Sequence, residues 1–512
     1  MTSRFIVPLT IFVSVCVALM AATFIATGDT FPLVIMSLVI ICGCAIALPR
    51  TVTLLTIALF FSAFSLPQLQ GKLNMFHLGA TTLLALAILN FAMTQRVRLR
   101  WSGGHTAILL FIAVILLTMG VRGSGFRVLG SEKWGGMFYL QLVLCASLVY
   151  TVPQINLSST WWRRCLILAA LSTIPAAIAE ILIYRGFGLG GIASFFQVGA
   201  PSDLDSITAS RDFINRYFAV SLAGQSLYYA IFLLIPAAYL FSPPGLKHWP
   251  WAIGFTLTAA FGGFRTVLLS MVGVTVILMK WSRSVQPGFL LLIGCAAMAG
   301  YISLVFTADY LPVQWQRAVS FLPGLQVSEV ASADASTTVV WRLELWRRAL
   351  DQVPYFLFVG RGYAFSATEY LAAYDNRYGL FDALEWAIVT SAYHQGSLSL
   401  LVGLGVPGLI TGYAILFLFA RRHLRVREAA WSSPKLQTCH TVVCAIFLMD
   451  IIQFVFIYGD VQASFPAFFY RIAILEGLLY ADESSSDATQ TLFESTADSQ
   501  YEPELMAADG MR

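Results

Sequence analysis

Long apolar runs separated by short polar stretches set the pattern of this chain from end to end. Stretches of roughly 17 to 23 apolar residues, the length a helix needs to cross a hydrocarbon core of about 30 Å, recur along most of the chain. The pattern predicts fourteen spans, at 5–26, 31–48, 51–66, 75–93, 106–120, 137–152, 164–184, 224–242, 249–263, 266–280, 287–306, 396–419, 438–457 and 465–480. The runs lack the polar and apolar alternation of a barrel strand, and only a helix satisfies its own backbone groups in lipid. The first run follows Arg4, has spanning length and is succeeded at once by others, so it reads as a retained helix rather than a leader.

The polar stretches then set the orientation. With the amino terminus inside, the short inner connections hold fifteen Lys and Arg residues, among them Arg50, Arg96, Arg163, Lys247, Arg421 and Arg427. The short outer connections hold five: Lys72, Arg122, Arg127, Lys133 and Arg265. This bias places both termini in the cytoplasm. Two long polar segments, 185–223 and 307–395, then face outward, and the second is by far the larger. Residues 482–512 carry eight acids against the single Arg512 and read as a disordered acidic tail.

Composition agrees with a lipid-solvated chain. Of 512 residues, 58% are apolar and 11% charged, too little polar surface for a soluble globule of this size. The net charge of +4 gives no reason to expect a nucleic-acid partner. All eight cysteines lie in or beside predicted spans, so neither disulfides nor a Cys-ligated metal is expected.

Candidate chemistry gathers on the outer side. Val339, Leu343, Trp346, Leu350 and Val353 recur at helical spacing after Thr337 and Thr338, and Pro354 is expected to stop this amphipathic helix. Its polar positions include Arg342, Glu344, Arg347, Arg348 and Asp351, which suit a helix at the membrane surface and equally suit plain solvation. Gly360, Arg361 and Gly362 follow, as a turn or as a close backbone approach to a ligand. His394 closes the large segment at the mouth of the twelfth span, as a polar cap or a general base.

Arg265 lies at the outer junction of the ninth and tenth spans, where it can snorkel or reach a phosphate at headgroup depth. Asp450 and Arg471 sit at matching depth, roughly 10 Å inside the last two spans, and are expected to form a structural ion pair. Asp203 and Asp205 have the Asp-x-Asp spacing of some metal sites, but their neighbours Pro201, Ser202 and Ser206 suit an ordinary solvated loop. No metal site is expected.

Taken together, these outer residues resemble the O-antigen ligase and polymerase family of bacterial membrane enzymes. His394 and Gln395, then Gly405 and Gly408, fit the family's His, polar residue, nine-residue gap and paired glycines. Arg265 and Leu269 fit its Arg-x-x-x-Leu, and Arg342 and Trp346 its Arg-x-x-x-Trp, with Gly360 and Gly362 beyond. Gln395 departs from the usual Asn, and fourteen spans exceed the twelve typical of ligases, which favours polymerase over ligase.

The resemblance implies an all-α polytopic membrane protein with a GT-C-like bundle and one large periplasmic loop containing an amphipathic helix. It divides the chain into residues 1–254 (helices with the 185–223 loop), a core at 255–420 including loop 307–395, two last spans at 421–481, and the tail. The implied activity is glycosyl transfer from undecaprenyl pyrophosphate to an acceptor hydroxyl, in O-antigen or exopolysaccharide biosynthesis at the bacterial inner membrane. His394 would be catalytic, Arg265, Arg342 and Arg361 would hold the pyrophosphate, and no cofactor or metal would be needed. Expected partners are the lipid-linked glycan, an acceptor glycan or lipid A core, membrane lipid and a chain-length regulator protein. A polysaccharide transporter or flippase is the alternative, although no internal repeat is visible in the sequence.

Overall fold

The computed structural model describes residues 79–85, 87–88, 101–126, 131–155, 157–184, 217–282, 287–375 and 383–483. The spans expected at 5–26, 31–48 and 51–66, most of the one at 75–93, the Asp203 and Asp205 pair and the tail from 484 lie outside the described residues.

Every regular element among the described residues is helical, apart from one isolated antiparallel bridge between Trp134 and Phe365. The helices are α1 (Gly103–Arg122), α2 (Gly136–Thr151), α3 (Ser159–Leu171), α4 (Ile174–Tyr184) and α5 (Phe218–Leu234). Then come α6 (Trp249–Phe261), α7 (Arg265–Ser282), α8 (Pro287–Thr307), α9 (Val313–Val319) and α10 (Glu329–Phe356). The last are α11 (Ala367–Asp375), α12 (Ala383–Val389), α13 (Gly396–Val426), α14 (Pro434–Phe456) and α15 (461–483). Among the described residues, six stretches are long and apolar enough to cross a membrane: α1, Gly136–Gln154, Ser159–Ile183, α7, α13 and α14. The chain is an all-α polytopic membrane protein.

Several helix limits differ from the expectation for local reasons. The span expected to reach 242 breaks at Pro236, and Ile235 before it is extended (φ −125°, ψ 118°), as a residue preceding proline prefers. Helix α10 begins well before Thr337, at Ser328, whose hydroxyl accepts from Ala331 N. It also runs through Pro354, because proline in the last turn forfeits only one hydrogen bond.

Close helix contacts use small residues, since lipid gives no hydrophobic drive between spans and only tight packing rewards association. A Cβ on Gly224 of α5 would lie 2.4 Å from the Ala259 nitrogen of α6. Gly104 of α1 likewise admits the Phe419 ring of α13, and Phe111 of α1 stacks on Phe465 of α15 at 4.8 Å. Polar side chains tie the interior: Tyr229 to Ser270 at 2.7 Å, Tyr228 to Thr275 at 2.6 Å and Gln453 to the Thr266 carbonyl at 2.6 Å. Asp450 of α14 and Arg471 of α15 form an ion pair between neighbouring helices.

Helix α13 organises the rest. Its 31 residues run from the His394 end to a buried polar cluster ~40 Å away, at 1.5 Å per residue. There the fully buried Glu476 of α15 pairs with Arg422 at 2.9 Å and faces His423 at 3.3 Å. His423 in turn meets His440 of α14 at 3.2 Å.

Candidate active site

Four pieces of chain meet at the amino-terminal end of α13: the turn 390–395, α10, the connection 457–460 and the Arg265 to Ser320 region. The turn is unusual because Ser391 and His394 both have positive φ, at 57° and 56°. Such a conformation is strained for non-glycine residues and persists only where the surroundings impose it. Here Trp346 of α10 donates its indole N–H to the Tyr393 carbonyl at 2.9 Å, and Gln462 donates to the Thr390 carbonyl at 3.0 Å. Gln395 then caps α13, its side-chain oxygen accepting from Leu398 N.

Asp460 holds His394 twice. The His394 backbone N–H donates to Asp460 Oδ1 at 2.7 Å, and its ring Nδ1 lies 2.9 Å from Asp460 Oδ2. A carboxylate can only accept, so the proton resides on Nδ1 and Nε2 keeps its basic lone pair. The ring is a quarter exposed while Asp460 is nearly buried. Tyr458 stacks on the imidazole at 5.0 Å, and Trp341 packs against it at 5.5 Å. The arrangement fixes the tautomer of a partly exposed imidazole.

Arginines lie beside it in different states. The Arg342 guanidinium sits over the Tyr458 ring, 5.3 Å from its centre, and its buried Nε has no hydrogen-bond partner. Burial pulls this group below its ordinary pKa and nearby Arg317 adds to the effect, against the opposing influence of Tyr458 and Asp460. An anion arriving here would relieve both costs. Arg265, by contrast, donates to the Arg317 carbonyl at 3.0 Å and Ser320 Oγ at 2.9 Å. Arg317 donates to the carbonyl of Gly263, a residue at φ +76° in the turn before α7. Arg347 and Arg348 are turned away, pairing with Glu344 at 2.9 Å and 3.0 Å and holding its carboxyl down at about 2.

Arg361 is placed differently. Its guanidinium donates to the Ile388 carbonyl and lies 3.9 Å from Glu369. Around it, the Gly360 to Gly362 strip forms a backbone clamp on α13. Arg361 N donates to Val402 O at 2.8 Å, Gly362 N to Gly403 O at 2.9 Å, and Val406 N to Leu357 O at 2.7 Å. The clamp is needed because Gly405, at φ +75°, breaks the ladder of α13 ahead of Pro407. A Cβ on Gly360 would stand 2.2 Å from the Gly403 oxygen, so the strip touches α13 only as glycine. Gly408 is equally confined, against the Leu404 side chain.

The helix and turn that carry these residues lie in the part of the chain where a family model applies. Residues 251–412 match the O-antigen ligase family. No curated protein matches the chain. The O-antigen ligase domain runs from α6 to the middle of α13 and contains Arg265, Arg317, Arg342, Arg361, His394, Gly405 and Gly408. Its general chemistry is that of O-antigen ligase and polymerase type glycosyltransferases, acting on a lipid-linked glycan and an acceptor.

Three residues of the site escaped the sequence reading. Asp460 and Tyr458 lie beyond the O-antigen ligase match, yet they touch the His394 ring. A signal existed: Asp460 is the lone acid in the connection between the last two spans, on the side predicted for His394. Arg317 had a weaker one, since a Gly-Gly break such as 262–263 leaves carbonyls that need a donor.

Proposed function

We propose that the chain transfers an oligosaccharide from undecaprenyl pyrophosphate to an acceptor hydroxyl on the periplasmic face of the bacterial inner membrane, with both termini cytoplasmic. The observation that supports this most is Arg342, whose buried Nε lacks a hydrogen-bond partner, beside the His394 and Asp460 dyad: a cation able to receive an anion next to a base with a free lone pair. No nucleotide supply exists on that face, so the driving force must arrive in the donor, as a sugar-pyrophosphate bond.

In this reading His394 Nε2 takes the proton of the acceptor hydroxyl as its oxygen bonds to the anomeric carbon. The bond from that carbon to the pyrophosphate oxygen breaks, and its electron pair leaves on the lipid pyrophosphate, giving inversion. Asp460 stabilises the imidazolium that forms. Arg342 receives the leaving pyrophosphate, with Arg265 and Arg317 lending positive charge, so arginines supply what a metal would elsewhere. The amino termini of α13 and α15, both directed at this turn, favour the same negative charge. Arg361 belongs to the support of the turn more than to the pyrophosphate, because its guanidinium is engaged with Ile388 and Glu369.

Between acceptors, the fourteen spans expected from the apolar pattern favour a second lipid-linked repeat, hence O-antigen or exopolysaccharide polymerisation, over ligation to a lipid A core. The test is His394→Ala in cells lacking the natural gene. The variant should insert at normal levels and form no transferred product. A gel of surface glycans then separates the acceptors: single repeats on the core, or lost exopolysaccharide, for a polymerase; polymer retained on the carrier for a ligase. Full glycan from His394→Ala would overturn the assignment.

A further inference from the structure

Tyr458 stands at the edge of the packed core: the residue is 38% exposed and lies in the four-residue connection between α14 and α15. Both of its face contacts are with groups of the site. The His394 ring stacks on it, nearly parallel at 19°, and the Arg342 guanidinium lies over the same ring. Its backbone is fixed, with Tyr458 N donating to Gln453 O at 2.8 Å, so the ring cannot drift from the end of α14. Burial and the adjacent Asp460 carboxylate push its hydroxyl up to about 12, leaving a neutral phenol whose π face carries the interaction.

We infer that Tyr458 is a positioning residue that holds the base His394 and the pyrophosphate cation Arg342 against one aromatic ring, setting their separation and stabilising the positive charge of each. The inference rests on the roles proposed above for those two residues. Its physical content is that an electron-rich ring face attracts cations. Arg342 is a cation, and His394 becomes one as it takes the acceptor proton. The ring therefore favours the protonated base formed during transfer, and keeps the guanidinium from collapsing onto Asp460. Proton uptake and departure of the pyrophosphate thus occur at fixed spacing.

The test uses the full-length protein in lipid nanodiscs, with a synthetic undecaprenyl pyrophosphate-linked glycan as donor. Tyr458→Leu should keep its melting temperature within a few degrees, lower kcat about 100-fold, and move the acidic limb of the pH–rate profile to lower pH, because the protonated base loses support. Binding of undecaprenyl pyrophosphate without sugar should weaken about tenfold through Arg342. Tyr458→Phe, which keeps the ring face, should recover most of both losses. Should Tyr458→Leu not fold, ring-fluorinated phenylalanines at position 458 preserve shape while draining the face of charge. Rate and carrier affinity should then fall stepwise with fluorination. An unshifted pH profile with unchanged carrier affinity in Tyr458→Leu, or no trend across the fluorinated series, overturns the inference. His394→Ala, run in parallel, tests the underlying assignment: activity in that variant rejects the base itself, whereas inactivity there beside an indifferent Tyr458 rejects only the positioning role.

Discussion

Replacing Asp460 by asparagine should remove transfer while sparing the fold. The carboxylate accepts two hydrogen bonds from His394, at the backbone N–H and at Nδ1. Asparagine retains one acceptor oxygen, enough for the backbone bond, but its amide nitrogen can only donate to the ring. Nδ1 must then accept, the ring proton moves to Nε2, and the lone pair meant for the acceptor hydroxyl is gone. The cost in stability is at most one charge-assisted hydrogen bond, about 1.5–3 kcal/mol, toward the lower end because the ring is partly exposed. The cost in rate is the loss of general-base catalysis, about 10²- to 10⁴-fold, or roughly 3–5 kcal/mol of barrier. The assay is initial-rate transfer by purified protein in nanodiscs, with fluorescence-detected gel filtration and thermal melting as controls for folding. A well-folded Asp460→Asn protein with more than a tenth of the normal rate would refute the reasoning, since a wrong tautomer leaves no base.

Three further outcomes are expected. Arg342→Lys keeps the charge but loses the planar fork that grips two phosphate oxygens, so kcat/KM should fall about 10- to 100-fold in the same assay, consistent with a lost charge-assisted contact; near-normal activity would count against a pyrophosphate at this position. Trp346→Phe leaves the Tyr393 carbonyl without its donor and should lower stability by about 1–3 kcal/mol in thermal or denaturant unfolding, with a larger fall in activity because the strained His394 turn relaxes. Asp450→Asn and Arg471→Gln should each destabilise by about 3–5 kcal/mol, as expected when one charge of a buried pair is stranded. Their combination should recover part of that loss, and strictly additive melting shifts would show that the two do not act as a pair.

The helical architecture was readable because the membrane imposes one solution on each apolar run. The motif glycines were readable as positions but not as roles. Gly360 and Gly362 suggested a turn or a ligand contact, whereas they grip the break in α13 at Gly405. That relation joins residues some forty apart and depends on a kink that apolar periodicity does not register. Asp460 and Tyr458 illustrate a second limit: each lies about 65 residues from His394, and only the packing of α15 against α13 brings them together. Arg361 shows the reverse, a cation next to a motif whose charge is committed to a carbonyl and a carboxylate.

The buried Glu476 cluster at the far end of α13 bears on how substrate can arrive. It knots α13, α14 and α15 together through Arg422, His423 and His440. Any rocking motion that opened the bundle at that end would have to tear a sequestered carboxylate from its arginine, a penalty of about 3–5 kcal/mol. A state open there would hold fewer than about one molecule in a hundred. Among the described residues, α13, α14 and α15 are thereby tied into one unit at this end, so a motion that rearranges the His394 end would turn about the Glu476 knot as its fixed point.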